Sequence, residues 1–199
     1  VQADGPYVFR DGQQLKAKWI CADKVESRAL PINATGTDIA PRCGYEHTLH
    51  VAAPNAPSVS VLPAVPRIVA LSDIHGQYGL LVRLLRANKV IDAQDRWALG
   101  TDTLVIAGDV FDRGPQVTEA FWLLYGLQQQ AAAAGGAVHF VLGNHETMVL
   151  YDDLRYVNPK YLRSAQLLGR SYPQLYGADS VIGQWLRTRP VLLKIGDTL

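Results

Sequence analysis

Charge of one sign is missing from this chain of 199 residues: 19 Lys and Arg face 18 Asp and Glu, a formal net charge of +1. That balance removes any global electrostatic case for nucleic acid or an anionic membrane as partner, so a partner must be recognised at a local site. Long apolar runs are missing too. None approaches the roughly 18 residues that cross a bilayer, and Pro63, Pro66 and Arg67 break the stretch from Val61 to Leu71. No membrane span is expected. Methionine occurs once, at Met148, so Val1 is not an initiator position, and no basic or apolar leader precedes it; the expectation is that something was removed upstream. Cysteine occurs only at Cys21 and Cys43, with no further Cys or His partners of the kind a structural zinc site wants. Two cysteines in the first quarter of a chain fit a single disulfide in an exported protein, closing a loop of about 22 residues and contributing roughly 3 kcal/mol. The alternative is two free buried thiols. On the cysteine pair and the trimmed start, the expected location is extracytoplasmic, periplasmic or secreted.

What is present is enough for a real core: 48% of residues are apolar and only 19% charged, which excludes disorder and a coiled coil. Residues 1–64 are rich in Pro, Gly, Asn, Asp and Thr, with short strand-like pieces at Tyr7 to Phe9, Leu15 to Ile20 and Thr48 to Val51. They read as an irregular, strand-containing N-terminal extension. Pro54, Pro57, Pro63 and Pro66 punctuate its end, and a catalytic domain is expected over 65–199. There the pattern changes to apolar strands at Ile68 to Ser72, Thr103 to Ala107 and Val138 to Leu142. Helices are expected around Leu80 to Leu85, from Pro115 to Ala134 and from Glu146 to Asp152. This βαβαβ series predicts an α/β fold, a layered, mainly parallel sheet. Tyr161 to Leu168 and Ser180 to Arg187 add helices. Val191 to Ile195, a Gly196 to Asp197 turn and Thr198 to Leu199 read as a hairpin cut off at its second strand.

Each of the three core strands ends in a polar cluster, and ligands of open α/β sheets bind outside the carboxyl ends of the strands. The first is Ser72-Asp73-Ile74-His75-Gly76, where i, i+2 spacing on an extended segment puts a carboxylate and an imidazole on one side, as a divalent metal requires. The second is Gly108-Asp109-Val110-Phe111-Asp112-Arg113-Gly114, with two carboxylates and a guanidinium in one turn. The third, Gly143-Asn144-His145-Glu146, sets an amide and an imidazole before a helix. One such Asp could be a helix cap and one Arg a surface ion pair. Three clusters at three consecutive strand ends call for a common function.

These residue types suit hydrolysis of a phosphate ester. Two divalent metals about 3.5 Å apart would lower the pKa of water enough to give a hydroxide nucleophile at neutral pH, and would stabilise the charge of an in-line transition state. Asp109, on the central strand, is placed to bridge them. Asp73 and His75 would complete one metal's protein ligands and Asn144 would bind the other. Arg113 would hold phosphate oxygens with its planar fork. His145, kept in its tautomer by Asp112, would protonate the leaving oxygen.

The three motifs resemble the signatures of the calcineurin-like metallophosphoesterases. Their Asp-Arg-Gly and Asn-His-Glu forms are similar to the phosphoprotein phosphatase branch, in particular its Shewanella-like bacterial members. The resemblance covers about Arg67 to Leu199 and implies the same roles: Asp73, His75 and Asp109 on one metal, Asp109 and Asn144 on a second, Asp112 with His145 as proton donor pair. Arg113, Asn144 and His145 would contact the substrate phosphate. The ions implied are manganese, iron or zinc. Ser72 stands where eukaryotic phosphatases more often have Gly, a neutral change, and the first 64 residues match no family motif. The family pattern continues with a His-Gly-Gly motif after a hairpin like Val191 to Leu199 and with a further His, both on the second metal, and with an Arg on phosphate. This sequence stops before them. It therefore resembles the N-terminal half of a catalytic domain, and the segment alone is expected to bind one metal tightly and to be nearly inactive without the remaining C-terminal part.

The function expected is a metal-dependent phosphoprotein phosphatase, a phosphomonoesterase. The alternatives are a phosphodiesterase or dinucleoside polyphosphate hydrolase on the same scaffold, or a non-catalytic fragment. Other features read as structure: His47 and His50 as surface residues, His139 as part of a strand, Trp97, Trp122 and Trp185 as core, Asp152-Asp153 as a solvated helix end. Asn33-Ala34-Thr35 fits a glycosylation sequon relevant only in a eukaryotic secretory route.

Overall fold

The structure, a computed structural model, describes residues 2–53 and 58–199; Val1, Pro54 and Pro57, used above, lie outside the described residues. The first elements in chain order are β1 (Asp4–Asp11), β2 (Gln14–Cys21), β3 (Lys24–Pro31), β4 (Thr37–Ile39), β5 (Leu49–Val51) and β6 (Val61–Leu62). Then follow β7 (Ile68–Leu71), α1 (Tyr78–Ala87), β8 (Thr103–Ile106), α2 (Val117–Ala133), β9 (Ala137–Phe140) and α3 (Asn144–Leu150). The chain ends with α4 (Pro159–Leu168), a 3-10 turn (Pro173–Tyr176), α5 (Val181–Arg187) and β10 (Lys194–Ile195). No helix among the described residues is long and apolar enough to cross a membrane. The chain divides into two compact units, Val1–Ala56 with Met148–Thr188, and Pro57–Thr147 with Arg189–Leu199.

In the first unit β1, β2 and β3 form an antiparallel meander. Both hairpins close over two residues, and Ala22 and Asp23 in the second have positive φ (52° and 63°), the conformation that matches the twist of paired strands. Leu15, Ala17 and Trp19 alternate into the core from β2. Helix α4 starts at an Asn158 cap whose side chain accepts the Lys160 N–H, with Pro159 in the first turn, and stops at left-handed Gly169. Buried Asp4 ties β1 to α4. Its carboxylate accepts the Tyr7 hydroxyl at 2.7 Å and the Ser164 hydroxyl at 2.5 Å, and lies 3.3 Å from Lys160 Nζ. A buried carboxylate is tolerated only with such partners.

Cys21 and Cys43 form a disulfide, their Cα atoms 5.2 Å apart, joining the end of β2 to the segment after β4. Reduction is expected to lower the stability of this unit by about 3 kcal/mol and to leave the parallel sheet's amide protection unchanged. Hydrogen exchange under reducing and oxidising conditions checks this; equal loss of protection in both units would show that the bridge acts elsewhere.

In the second unit β7, β8 and β9 are a parallel sheet in that order, in register Ile68↔Thr103↔Ala137 through Leu71↔Ile106↔Phe140. Helix α2 buries Val117, Ala120, Phe121, Leu124, Leu127 and Ala131 at the spacing of one helical face, and Thr118, Trp122 and Tyr125 on a second. The Phe121 ring packs edge-on against Phe111 at 4.7 Å and lies 6.2 Å from Phe140. This is the α/β fold expected from the βαβαβ pattern. The predicted terminal hairpin is smaller than expected: Gly196 (φ 57°) makes the turn and Ile195 meets Thr198 in a single bridge. The main partner of β10 is instead β6, in parallel, Lys194 beside Val61 and Ile195 beside Leu62.

Candidate metal centre

Three loops leave the carboxyl ends of β7, β8 and β9, and the backbone stitches them together before any side chain is considered. The His75 N–H donates to the Asp109 carbonyl (2.9 Å), Gly76 N–H to Val110 (3.0 Å) and Gly114 N–H to His75 (2.9 Å). The third loop is joined by a side chain. The Glu146 carboxylate accepts the N–H groups of Asp109 (2.7 Å), Val110 (2.8 Å), Phe111 (3.3 Å) and Gly143 (2.8 Å). The loops approach so closely that a Cβ on Gly143 would land on Asp109 Oδ1, and one on Gly108 would land on the Gly143 backbone. Asp73, His75, Asp109, Asp112 and Arg113 all sit at positive φ, from 45° to 72°. Each such non-glycine conformation costs on the order of 1–3 kcal/mol, and clusters of them mark sites whose geometry is held by surrounding structure.

This backbone gathers the predicted ligands. One donor atom each from Asp73, His75 and Asp109 lie within 4.8 Å of one another, and Asp73 Oδ1 is 3.6 Å from His75 Nε2. Ligand atoms about 2.1 Å from a common ion sit up to about 4.2 Å apart, so small side-chain adjustments close the set. The tautomer is right as well. His75 Nδ1 is 2.8 Å from the Phe111 carbonyl, which can only accept, so the proton is on Nδ1 and the Nε2 lone pair is available. Asp109 accepts the His145 N–H through Oδ1 at 3.0 Å. Two carboxylates and an imidazole suit a divalent first-row ion. The Ser72 hydroxyl, 2.5 Å from Asp73 Oδ2, holds the exposed Asp73 carboxyl below its usual range, helped by the charges of His75 and Arg113 and opposed by the desolvation its neighbours impose.

Beside this triad His145 Nδ1 lies 2.6 Å from Asp112 Oδ2, and both residues are buried. The His75 and His145 rings meet edge-on at 4.6 Å. Burial pushes the Asp112 carboxyl up, against the opposing pull of His145. Asp112 Oδ1 has no hydrogen-bond partner among the described residues, so the bond to His145, with the charges of His75 and Arg113 behind it, is what compensates its burial. Asn144, the first residue of α3, and Arg113, in the β8 loop, are exposed next to these groups.

Sequence reasoning named Glu146 only as part of a motif and missed its role as a clamp. The signal was there: Glu146 is the third residue of α3 and bonds back to the N–H of the residue before the helix, one arm of a capping box. Burial pushes its carboxyl up and the four N–H donors oppose that. Glu146→Gln puts an NH₂ donor against N–H donors. It is expected to destabilise the protein by about 3 kcal/mol and to weaken divalent-ion binding 10- to 100-fold, as loss of a supporting partner does. Urea unfolding and manganese titration check both; an unchanged ion affinity would separate the clamp from the metal centre.

The fold and the three loops define the class. The calcineurin-like phosphoesterase family matches residues 66–196, and the chain belongs to that family. Within it, the chain is 41% identical to a cold-active protein-tyrosine phosphatase of a psychrophilic Shewanella species, whose crystal structure it matches with a TM-score of 0.92 over 99% of this chain and 60% of that one. It is 37% identical over 101 residues to Shewanella-like protein phosphatase 2 of Arabidopsis thaliana, covering 51% of this chain and 26% of that protein. It is also 30% identical over 131 residues to a symmetrical bis(5'-nucleosyl)-tetraphosphatase of Hamiltonella defensa, 65% of this chain and 40% of that protein. The chain thus spans about a quarter of the length of its plant relative.

Proposed function

We propose that this chain acts as a metal-dependent phosphomonoesterase on phosphorylated protein side chains. The observation that carries the reading is the convergence of Asp73, His75 and Asp109 beside the buried His145–Asp112 pair. Those three would hold one divalent ion, with Asp109 and Asn144 facing a second. The ions would supply Lewis acidity and a lowered pKa for water. Asp112 orients the ring through Nδ1–H and stabilises the imidazolium, whose Nε2 proton would pass to the leaving oxygen. Arg113, exposed at the rim, presents its fork to phosphate oxygens, and Asn144 and His145 bound the same space. The disulfide supports an oxidising compartment, periplasmic or extracellular.

A second reading, hydrolysis of dinucleoside polyphosphates, is favoured by the similarity to the tetraphosphatase. Turnover with manganese on p-nitrophenyl phosphate, a phosphotyrosine peptide, a phosphoserine peptide, bis-p-nitrophenyl phosphate and diadenosine tetraphosphate separates the two. The phosphomonoesters are expected to be hydrolysed at least about tenfold faster than the diester, since Arg113 is set to hold a dianion. Preference for diadenosine tetraphosphate would replace the proposal by the second reading.

A further inference from the structure

The first unit carries a second concave, charged site that the metal centre does not use. It is a cavity of about 300 Å³ lined by Phe9, Arg10, Asp11, Lys16, Lys18, Arg170 and Asp179. Phe9, Lys16 and Lys18 share one face of the β1–β2 ribbon, because Phe9 pairs with Lys16 and Tyr7 with Lys18 across the strands. The buried Phe9 ring is a floor, and the Arg170 guanidinium stacks on it at 4.1 Å from the ring centre. Asp179 holds that guanidinium flat with two bonds, Nη1–Oδ1 at 3.2 Å and Nη2–Oδ2 at 2.7 Å, while Nη1 also donates to the Gln174 carbonyl at 3.1 Å. Nε and one Nη2 hydrogen of Arg170 keep no protein acceptor among the described residues.

The charges do not cancel. Four cations line the cavity against two carboxylates, and each carboxylate already has its cation: Asp179 has Arg170, and Asp11 has Lys16. Arg10 bonds only neutral acceptors, Gln184 Oε1 at 2.9 Å and the Ala52 carbonyl at 3.0 Å. Half-buried Lys18 has no carboxylate in ion-pair reach among the described residues. Two positive charges are thus left uncompensated in a recess whose guanidinium is immobilised before any ligand arrives. Groups ordered in advance lose little entropy on binding.

We propose that this cavity binds a phosphate monoester dianion, its oxygens taken by Lys18 and by the free donors of Arg170, with the field of Arg10 behind them. In a chain of this family such a site would retain a phosphorylated polypeptide at a point other than the metal centre. Binding of phosphate here concerns residues of the first unit only, whereas retention of a phosphorylated polypeptide rests on the proposed function.

The test is titration of the ¹⁵N-labelled chain, in EDTA so that the metal centre holds no ion, with inorganic phosphate, a phosphoserine peptide, malonate and sodium chloride. Expected are saturable shifts of the Phe9, Lys18 and Asp179 amides with phosphate and with the peptide, and weaker ones with malonate. Lys18→Gln should weaken phosphate binding about five- to tenfold, Lys18→Arg should restore most of it, and Lys24→Gln, at the start of β3, should not change it. Saturation by inorganic phosphate without the peptide would assign the site to the free ion and overturn the retention of a polypeptide. Shifts that merely follow ionic strength and are matched by chloride, malonate binding as tight as phosphate, or wild-type affinity in a folded Lys18→Gln variant would each overturn the proposal.

Discussion

Asp109→Asn is expected to lower the affinity for manganese at least about a hundredfold and turnover on aryl phosphates on the order of 10³-fold. Asp109 is the residue on which all three loops converge: its carbonyl receives His75, its N–H is held by Glu146, and its Oδ1 accepts the His145 N–H. The amide of asparagine preserves shape and most of these bonds but removes the charge, so the loops should stay in place while the ion leaves. Calorimetric manganese titration together with thermal melts distinguishes this from unfolding. Tight manganese binding by a folded Asp109→Asn variant would show that Asp73 and His75 suffice and that the proposed bridging role is mistaken.

The second large effect is expected at His145, and it should depend on the leaving group. With its Nδ1 proton committed to Asp112, His145 can serve the reaction only through Nε2, as donor of a proton to the departing oxygen. p-Nitrophenolate departs readily without that proton, whereas an alkoxide such as serine's does not. His145→Asn should therefore lower turnover on a phosphoserine peptide by about 10²- to 10⁴-fold and on p-nitrophenyl phosphate much less. Asp112→Asn should show the same leaving-group signature in weaker form, since it loosens the imidazole and leaves it in place. Equal losses on both substrates in His145→Asn would rule out the general-acid role and leave His145 a part of the loop scaffold, through its N–H to Asp109.

Much of this site was legible because its residues are local in sequence and lie at strand ends. Strands β7, β8 and β9 are short, mainly apolar runs, buried in β8 and only half-buried in β7, and each is followed within a few positions by its polar cluster, so the order of the strands in the sheet is enough to bring the clusters together. β3 was not legible. Residues 24–31 are mostly exposed, Val25 and Ala29 included, so no buried face gives them the period-two signal that marks a half-buried strand, and they pair because the Ala22–Asp23 turn returns the chain along β2. Strand β6 is two residues long, and its partner β10 lies more than 130 residues away; no local pattern encodes such a pairing. Nor does composition reveal that residues 148–188 belong with the N-terminal strands. That association rests on contacts such as Asp4 with Ser164 and Lys160.

By itself the sequence determined the α/β class, the family and a candidate set of donor groups, because these depend on residue type and on spacing along a strand and the turn after it. Only the tertiary structure decided how those groups are held. The left-handed backbone at Asp73, His75 and Asp109, the proton on His75 Nδ1 fixed by the Phe111 carbonyl, and the four N–H groups gathered on Glu146 are relations between segments tens of residues apart. Chain folding alone sets such distances, and a hydrogen bond or a coordinate bond is lost within an ångström of misplacement.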